Sequence, residues 1–261
     1  MAKKEQTTSQ KVYDRDEQSP DDDLLICING LAVAYQTNVA LFDINLDVHQ
    51  HDFIGICGPN GSGKSTLLKS IVGAIKPVQG SLRVFGKDLT KSNIRGIKAK
   101  IGYVPQIQNI ERNFPALVED VVGMGLYSQI GFFRALSKKH REKITAALKL
   151  VGMDAMAKRP IGHLSGGQQQ KIKIARALVN NPEILLIDEP FTALDFKVAK
   201  NIADVIANIY QETSVTIVMV SHSIPLIKEL CNRAVCLDKR LIWQGDPHSP
   251  EFENAVKLVF H

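Results

Sequence analysis

From Leu24 onward, short apolar segments alternate with longer stretches of helical pattern. Residues 53–57, 184–187 and 215–220 are apolar on both of their alternating faces. Strands with that pattern must be covered on both sides, which predicts a parallel sheet flanked by helices. Residues 66–72 predict a helix directly behind the first of these strands, and residues 169–179, basic and apolar in turn, predict another. Between Ile107 and Leu164 the pattern changes. Residues 118–126, then residues 139–151 with Ile144, Ala147, Leu148 and Val151 at helical spacing, predict helices without strong strands, an inserted helical subdomain. No internal repeat, low-complexity segment or long heptad run interrupts this plan.

Residues 1–23 hold only four hydrophobic residues, Met1, Ala2, Val12 and Tyr13, and end in Pro20-Asp21-Asp22-Asp23. Burial cannot repay their ordering entropy, so a flexible acidic tail is expected there. The whole chain of 261 residues is 44% hydrophobic and 23% charged, ordinary for a soluble globular protein. No apolar run, Leu31 to Tyr35 among them, exceeds five residues, far short of the roughly 20 that a membrane helix needs. Four cysteines at positions 27, 57, 231 and 236, with no C-x-x-C pair, suggest neither a disulfide framework nor a thiolate zinc site, and fit a reducing compartment. Lys3 and Lys4 lead into Glu5, Gln6 and Thr7 rather than an apolar segment, so a cytoplasmic location is expected. Net charge is +5, and because the tail holds four Lys/Arg against seven Asp/Glu, the remainder is more basic still. Charge alone leaves nucleic acid, anionic lipid and a polyanionic ligand open.

Three motifs narrow the choice. Gly58-Pro59-Asn60-Gly61-Ser62-Gly63-Lys64-Ser65 has the spacing G-x-x-x-x-G-K-[ST] and stands between a predicted strand and a predicted helix, whose first residue is Thr66. Glycines there let backbone N–H groups curl inward at phosphate oxygens, with a helix dipole behind them. Lys64 is expected to neutralise β- and γ-phosphates and Ser65 to hold Mg²⁺. In the second motif the apolar run 184–187 ends in Asp188 and Glu189. The C-terminal end of a central strand is where ligands bind in an open α/β sheet, so Asp188 is expected to reach the same Mg²⁺ and Glu189 to polarise the attacking water. Third, Leu164-Ser165-Gly166-Gly167-Gln168 opens a helix and makes a second anion site. A chain that already has one phosphate loop has little use for another on the same phosphate. The expected use is to clamp nucleotide held by a second copy.

In this order the motifs resemble those of the ATP-binding subunits of ABC transporters, from Leu24 to the C-terminus. Tyr35 resembles the aromatic residue that stacks on adenine, and Gly102-Tyr103-Val104-Pro105-Gln106 the loop whose glutamine contacts Mg²⁺ or the attacking water. Thr192-Ala193-Leu194-Asp195 is similar to the loop communicating between two sites, and His222 to the switch histidine that contacts the γ-phosphate. The resemblance implies ATP and Mg²⁺, with Lys64, Gln106, Glu189 and His222 in the chemistry and Ser65, Gln106 and Asp188 on the metal. It implies an α/β fold over residues 24–261: a P-loop NTPase (RecA-like) core with a parallel sheet, an N-terminal antiparallel β part and a helical subdomain at about residues 107–165. Ser223, where many relatives have Asp, and Lys171, where Arg is commoner, are mild departures outside the chemistry.

A single nucleotide-binding domain without a membrane segment resembles a separate importer subunit, working peripherally on the cytoplasmic face of the inner membrane. The partners this implies are polytopic permease subunits, a second copy or a paralogous ATPase, and, indirectly, a metal-binding solute-binding protein. Asn113-Phe114-Pro115-Ala116-Leu117-Val118-Glu119-Asp120-Val121-Val122-Gly123-Met124-Gly125, Gly131-Phe132-Phe133-Arg134, Leu136-Ser137-Lys138-Lys139 and Phe191-Thr192-Ala193-Leu194-Asp195 are similar to the ATPases of zinc, manganese and iron importers. Iron–siderophore importers share part of this pattern, and a soluble ABC ATPase outside transport is the alternative from another class. The basic stretch 91–100 has no interleaved aromatic residues, so it is read as a solvated or membrane-facing surface and no nucleic-acid partner is expected. His49 and His51 are read as part of a charged turn rather than a metal site.

Overall fold

The computed structural model describes residues 23–106, 111, 114–130 and 136–260. The expected tail, apart from Asp23, lies outside the described residues, as do Asn113 and residues 131–134 of the importer-like pattern.

In chain order, β1 (Leu24–Tyr35) and β2 (Asn38–His49) form an antiparallel pair, followed by β3 (Phe53–Cys57) and α1 (Lys64–Ile71). Next come β4 (Gln79–Val84), β5 (Lys87–Asp88), α2 (Ile94–Ala99) and β6 (Ile101–Val104). The helical stretch holds α3 (Val118–Gly123), α4 (Tyr127–Ile130) and α5 (Lys138–Leu150), and leads into α6 (Gly166–Leu178). Then β7 (Ile184–Asp188), α7 (Phe196–Glu212), β8 (Thr216–Val220), α8 (Ile224–Leu230), β9 (Arg233–Asp238), β10 (Arg240–Gly245) and α9 (Pro250–Phe260) complete the described chain.

Two sheets result. One is antiparallel, in the order β2-β1-β4-β5. The other has the order β10-β9-β3-β8-β7-β6, parallel except for β10 at its edge. The both-faces-apolar strands of the sequence form the centre of the parallel sheet, and all five residues of β3, β7 and β8 are buried. Alternation then divides them between two cores. Phe53, Cys57, Leu185, Ile187, Ile217 and Met219 face the larger core, shared with the helices of residues 118–150 and with α6, α7 and α9. Ile54, Ile56, Ile184, Leu186, Val218 and Val220 face the smaller core, shared with the antiparallel sheet and with Leu67, Leu68 and Ile71 of α1. Strand period two therefore produces a layered molecule with α1 between its sheets.

Helix α6 is fixed to the sheet by a close approach: a Cβ at Gly102 of β6 would lie 2.6 Å from the carbonyl oxygen of Ala177. Strand pairing and helix packing thus place the loops after β3, β6, β7 and β8 at the C-terminal edge of one sheet, where an open α/β sheet binds ligands.

Candidate active site

The loop after β3 is shaped by glycines. Gly58, Gly61 and Gly63 have φ of 152°, 80° and 97°, a region costly for residues with a Cβ. Gly63 is also tightly enclosed, since a Cβ there would sit 2.6 Å from the carbonyl oxygen of Ala40 and against Leu41 Cδ2. Gly63 caps α1, whose first residues are Lys64 and Ser65. The opening amides of a helix have no partner within it, so this turn presents donors and positive dipole to its mouth. Lys64 is only 5% exposed. Its Nζ donates back to the loop, to the carbonyls of Gly58 at 2.9 Å and Pro59 at 2.8 Å, and reaches Ser62 Oγ at 3.5 Å. Burial pulls its pKa down, opposed by the charges of Glu189 and Asp188.

Asp188, 2% exposed, ends β7 beside that helix. Ser65 Oγ donates to its Oδ1 at 2.9 Å, and the Tyr103 hydroxyl to its Oδ2 at 3.4 Å. Burial pushes the Asp188 carboxyl up, opposed by the Ser65 hydrogen bond. Burial and the neighbouring Asp188 push the Tyr103 phenol up to about 12. Glu189 leaves the strand at φ 49°, a left-handed turn that re-aims its side chain. Its Oε2 accepts from Gln106 Nε2 at 2.8 Å and from Thr192 Oγ1 at 3.0 Å, and its Oε1 lies 2.7 Å from His222 Nε2. Gln106 follows β6 and His222 follows β8, the two neighbours of β7, so the sheet order converges these side chains.

A cavity of about 280 Å³ joins the groups, lined by Asn60, Gly61, Gly63, Lys64, Ser65, Thr66, Gln106 and Glu189 together with Ala40. Tyr35 is half-exposed at the end of β1, with its hydroxyl 3.4 Å from Thr66 Oγ1. The expected residues of the loops after β3, β6, β7 and β8 thus come together. Ser165, Gly166, Gly167, Gln168 and Asp195 stand apart, and among the described residues none of them lines the cavity. Ser165 Oγ accepts from the Gln168 backbone N–H at 3.3 Å and the Gln168 side chain accepts from the Ser165 backbone N–H at 3.0 Å, a reciprocal cap that starts α6. The Ser165 hydroxyl keeps its own proton to donate. Gly167 packs against Val198, and Asp195 accepts from the Val198 N–H at 3.0 Å, so this second group abuts the start of α7.

Tyr103 and Thr192 are site neighbours that the motifs quoted but gave no role. The signal for Tyr103 was a phenol at an inward position of a sheet strand. For Thr192 it was a hydroxyl three residues beyond the second acid.

The chemistry is that of a polyphosphate site. Amides and a buried ammonium face the cavity, and Ser65, Asp188 and Gln106 offer an all-oxygen donor set, suited to a hard cation such as Mg²⁺. Beside it stands a carboxylate able to orient and deprotonate water.

The family model described as ABC transporter matches residues 41–192. The chain is 39% identical over 225 residues to the zinc uptake system ATP-binding protein ZurA of Listeria monocytogenes, covering 86% of each chain. It is 35% identical over 236 residues to the manganese transport system ATP-binding protein MntA of Synechocystis, covering 90% of this chain and 89% of that one. The chelated iron transport system membrane protein YfeB of Yersinia pestis is 31% identical over 236 residues, 90% of this chain and 78% of that one. Among solved structures, cbiO1 of Clostridium perfringens, part of the transporter complex cbiONQ, superposes with a TM-score of 0.78 at 27% identity over 90% of this chain and 93% of that one. The dimeric post-hydrolysis cassette MJ0796 with ADP and Pi superposes with a TM-score of 0.73 at 29% identity over 86% of this chain and all of that one. The chain belongs to the ABC transporter family, as one of its ATP-binding, ATP-hydrolysing subunits.

Proposed function

We propose that the chain hydrolyses ATP to power uptake of a divalent transition metal ion, zinc, manganese or iron, through separate polytopic membrane subunits. The observation that carries the catalytic part is the convergence of Lys64, Ser65, Gln106, Asp188, Glu189 and His222 on one sheet edge. The cargo rests on the zinc and manganese uptake systems to which the relatives belong by name, and the YfeB match favours chelated iron as the second reading.

Each residue then has a task. Lys64 exchanges loop carbonyls for β- and γ-phosphate oxygens, and the amides of the Gly58–Thr66 loop hold the phosphate chain. Tyr35 stacks on the adenine. Ser65, Asp188 and Gln106 hold Mg²⁺, which when bound neutralises charge on the phosphates. Glu189 orients the attacking water and takes its proton at a carboxylate oxygen, while His222 and Lys64 stabilise charge that develops on the phosphoryl oxygens. Ser165, Gly166, Gly167 and Gln168, away from their own chain's cavity, serve the nucleotide of a second copy, with the Asp195 loop beside them.

The chain works peripherally at the membrane, on the cytoplasmic face. A metal-binding solute-binding protein delivers cargo to the membrane subunits, not to this chain. No helix of the described residues is long and apolar enough to cross a membrane.

Glu189→Gln tests the catalytic reading. The variant should still bind ATP and accumulate as an ATP-bound dimer in sedimentation, with turnover reduced by a factor of about a hundred or more, the size of a lost general base. Turnover near the wild-type rate would remove Glu189 from that role.

A further inference from the structure

The Glu189 carboxylate is held by three donors of different standing. Gln106 Nε2 and His222 Nε2 reach it from the loops after β6 and β8, at 2.8 and 2.7 Å. Under the proposed function both also have work on the nucleotide: Gln106 on the metal or the water, His222 on the γ-phosphate. His222 meets the carboxylate through Nε2 and gives up that bond when it turns to the γ-phosphate, whereas Gln106 can offer Oε1 to a metal with Nε2 still on the carboxylate. Thr192 has no such second task. Its Oγ1 donates to Oε2 at 3.0 Å from the same turn that carries Glu189, and its backbone N–H closes that turn on the Glu189 carbonyl at 3.4 Å.

The turn is held at both ends. The Glu189 N–H donates to the Val220 carbonyl at 3.0 Å, and beyond Thr192 the Leu194 N–H donates to the Phe191 carbonyl at 3.3 Å, with Ala193 at φ 59°. Leu194 then reaches the start of α6, where a Cβ on Gly166 would be 3.8 Å from its Cδ2. Residues 192–194 thus run from the carboxylate to the helix whose opening turn serves the second copy.

We infer that Thr192 is a positioning residue for hydrolysis: its hydroxyl fixes the rotamer of Glu189 when His222 turns to the nucleotide and Gln106 is shared between the carboxylate and the metal or the water. The inference rests on the proposed role of Glu189 and deepens it. A donor fixed in the same turn costs little entropy to engage and keeps one carboxylate oxygen occupied, so the other is presented to water. The γ-methyl of threonine has no part in this, which separates the hydroxyl from mere packing.

The test compares Thr192→Val, nearly isosteric but without the donor, with Thr192→Ser, which keeps the donor and loses the methyl. Steady-state ATPase kinetics, the melting temperature without nucleotide, and sedimentation with MgATP are measured on each full chain. Thr192→Val should lower kcat about tenfold to a hundredfold, as loss of a hydrogen bond to a charged group allows. Its KM for ATP should stay within about twofold, because the phosphate loop is untouched. It should also accumulate ATP-bound dimer, and Thr192→Ser should restore kcat to within about twofold of wild type. Wild-type kcat in Thr192→Val, or Thr192→Ser as slow as Thr192→Val, overturns the inference. If Glu189→Gln is inactive in the same assays while Thr192→Val is normal, only the Thr192 assignment falls. If Glu189→Gln turns over normally, the reading beneath it falls instead.

Discussion

Gly63→Ala probes the phosphate loop at its tightest point. Gly63 and Gly61 both have positive φ, 97° and 80°. An alanine at either position costs about 1–2 kcal/mol of backbone strain. Their surroundings differ: nothing lies within 4 Å of a Cβ on Gly61, while one on Gly63 would be 2.6 Å from the Ala40 carbonyl oxygen and pressed on Leu41. Leu41 is fully buried and β2 is tied to β1 along its length, so the neighbours cannot yield cheaply. Overpacking of that kind costs about 1–3 kcal/mol more. Gly63→Ala should therefore lose about 2–5 kcal/mol and Gly61→Ala about 1–2 kcal/mol. For a chain of this size each kcal/mol moves the melting temperature by about 2–4 °C. Thermal unfolding followed by circular dichroism, without nucleotide, measures both. Because the displaced turn begins α1, Gly63→Ala should also lose most of the stabilisation that ATP gives, while Gly61→Ala keeps more of it. Equal melting temperatures for the two variants would refute the claim that packing against β2, rather than φ alone, demands glycine at position 63.

Asp188→Asn separates binding from stability. A carboxyl raised on folding binds more protons in the folded than in the unfolded chain between its two pKa values, so stability falls as pH rises through that window and the penalty is full above it. Without nucleotide and metal, the variant should melt above wild type at about pH 8, by a margin that shrinks toward the carboxylate range, while MgATP turnover is lost. The Tyr103 hydroxyl can turn to accept from the new amide, and a variant that melts lower at that pH contradicts the assignment of burial as the dominant cause. Ser165→Arg should bind ATP on its own Lys64 loop without turnover. Mixed with Lys64→Ala it should recover activity through one composite site free of both changes, and a mixture as inactive as its parts would count against action across two copies.

Much of this architecture was legible because it depends on local chemistry. Residues 53–57 and 184–187 had to be buried strands, and the glycines between a strand and a helix had to form a tight turn at the helix start. Helix starts were less legible. Apolar periodicity placed the helix after the loop at Thr66, whereas it begins at Lys64, where Gly63 supplies the left-handed turn that ends the loop. Two glycines hid the start of α6, which begins at Gly166 because Ser165 and Gln168 cap each other. The antiparallel sheet came from the resemblance alone. Its strand β1 carries Gly30 at φ 56° and several register shifts that blur the period of two. The contacts of Tyr103 with Asp188 and of Thr192 with Glu189 depend on strand register and on a left-handed turn at Glu189, neither of which is written in residue type.

Under the proposed function, ATP hydrolysis by this chain drives metal-ion uptake. The most direct test is radiotracer uptake of zinc, manganese and iron, beside siderophore-bound iron, in cells lacking the chain and complemented with wild type or Glu189→Gln. Uptake of one of the three free ions should be lost, restored by wild type but not by Glu189→Gln, and relieved when that metal is supplied in excess. Unchanged uptake of all three ions with loss of the siderophore-bound form would contradict the metal-ion claim. Full restoration by Glu189→Gln would contradict the claim that hydrolysis at this site supplies the energy.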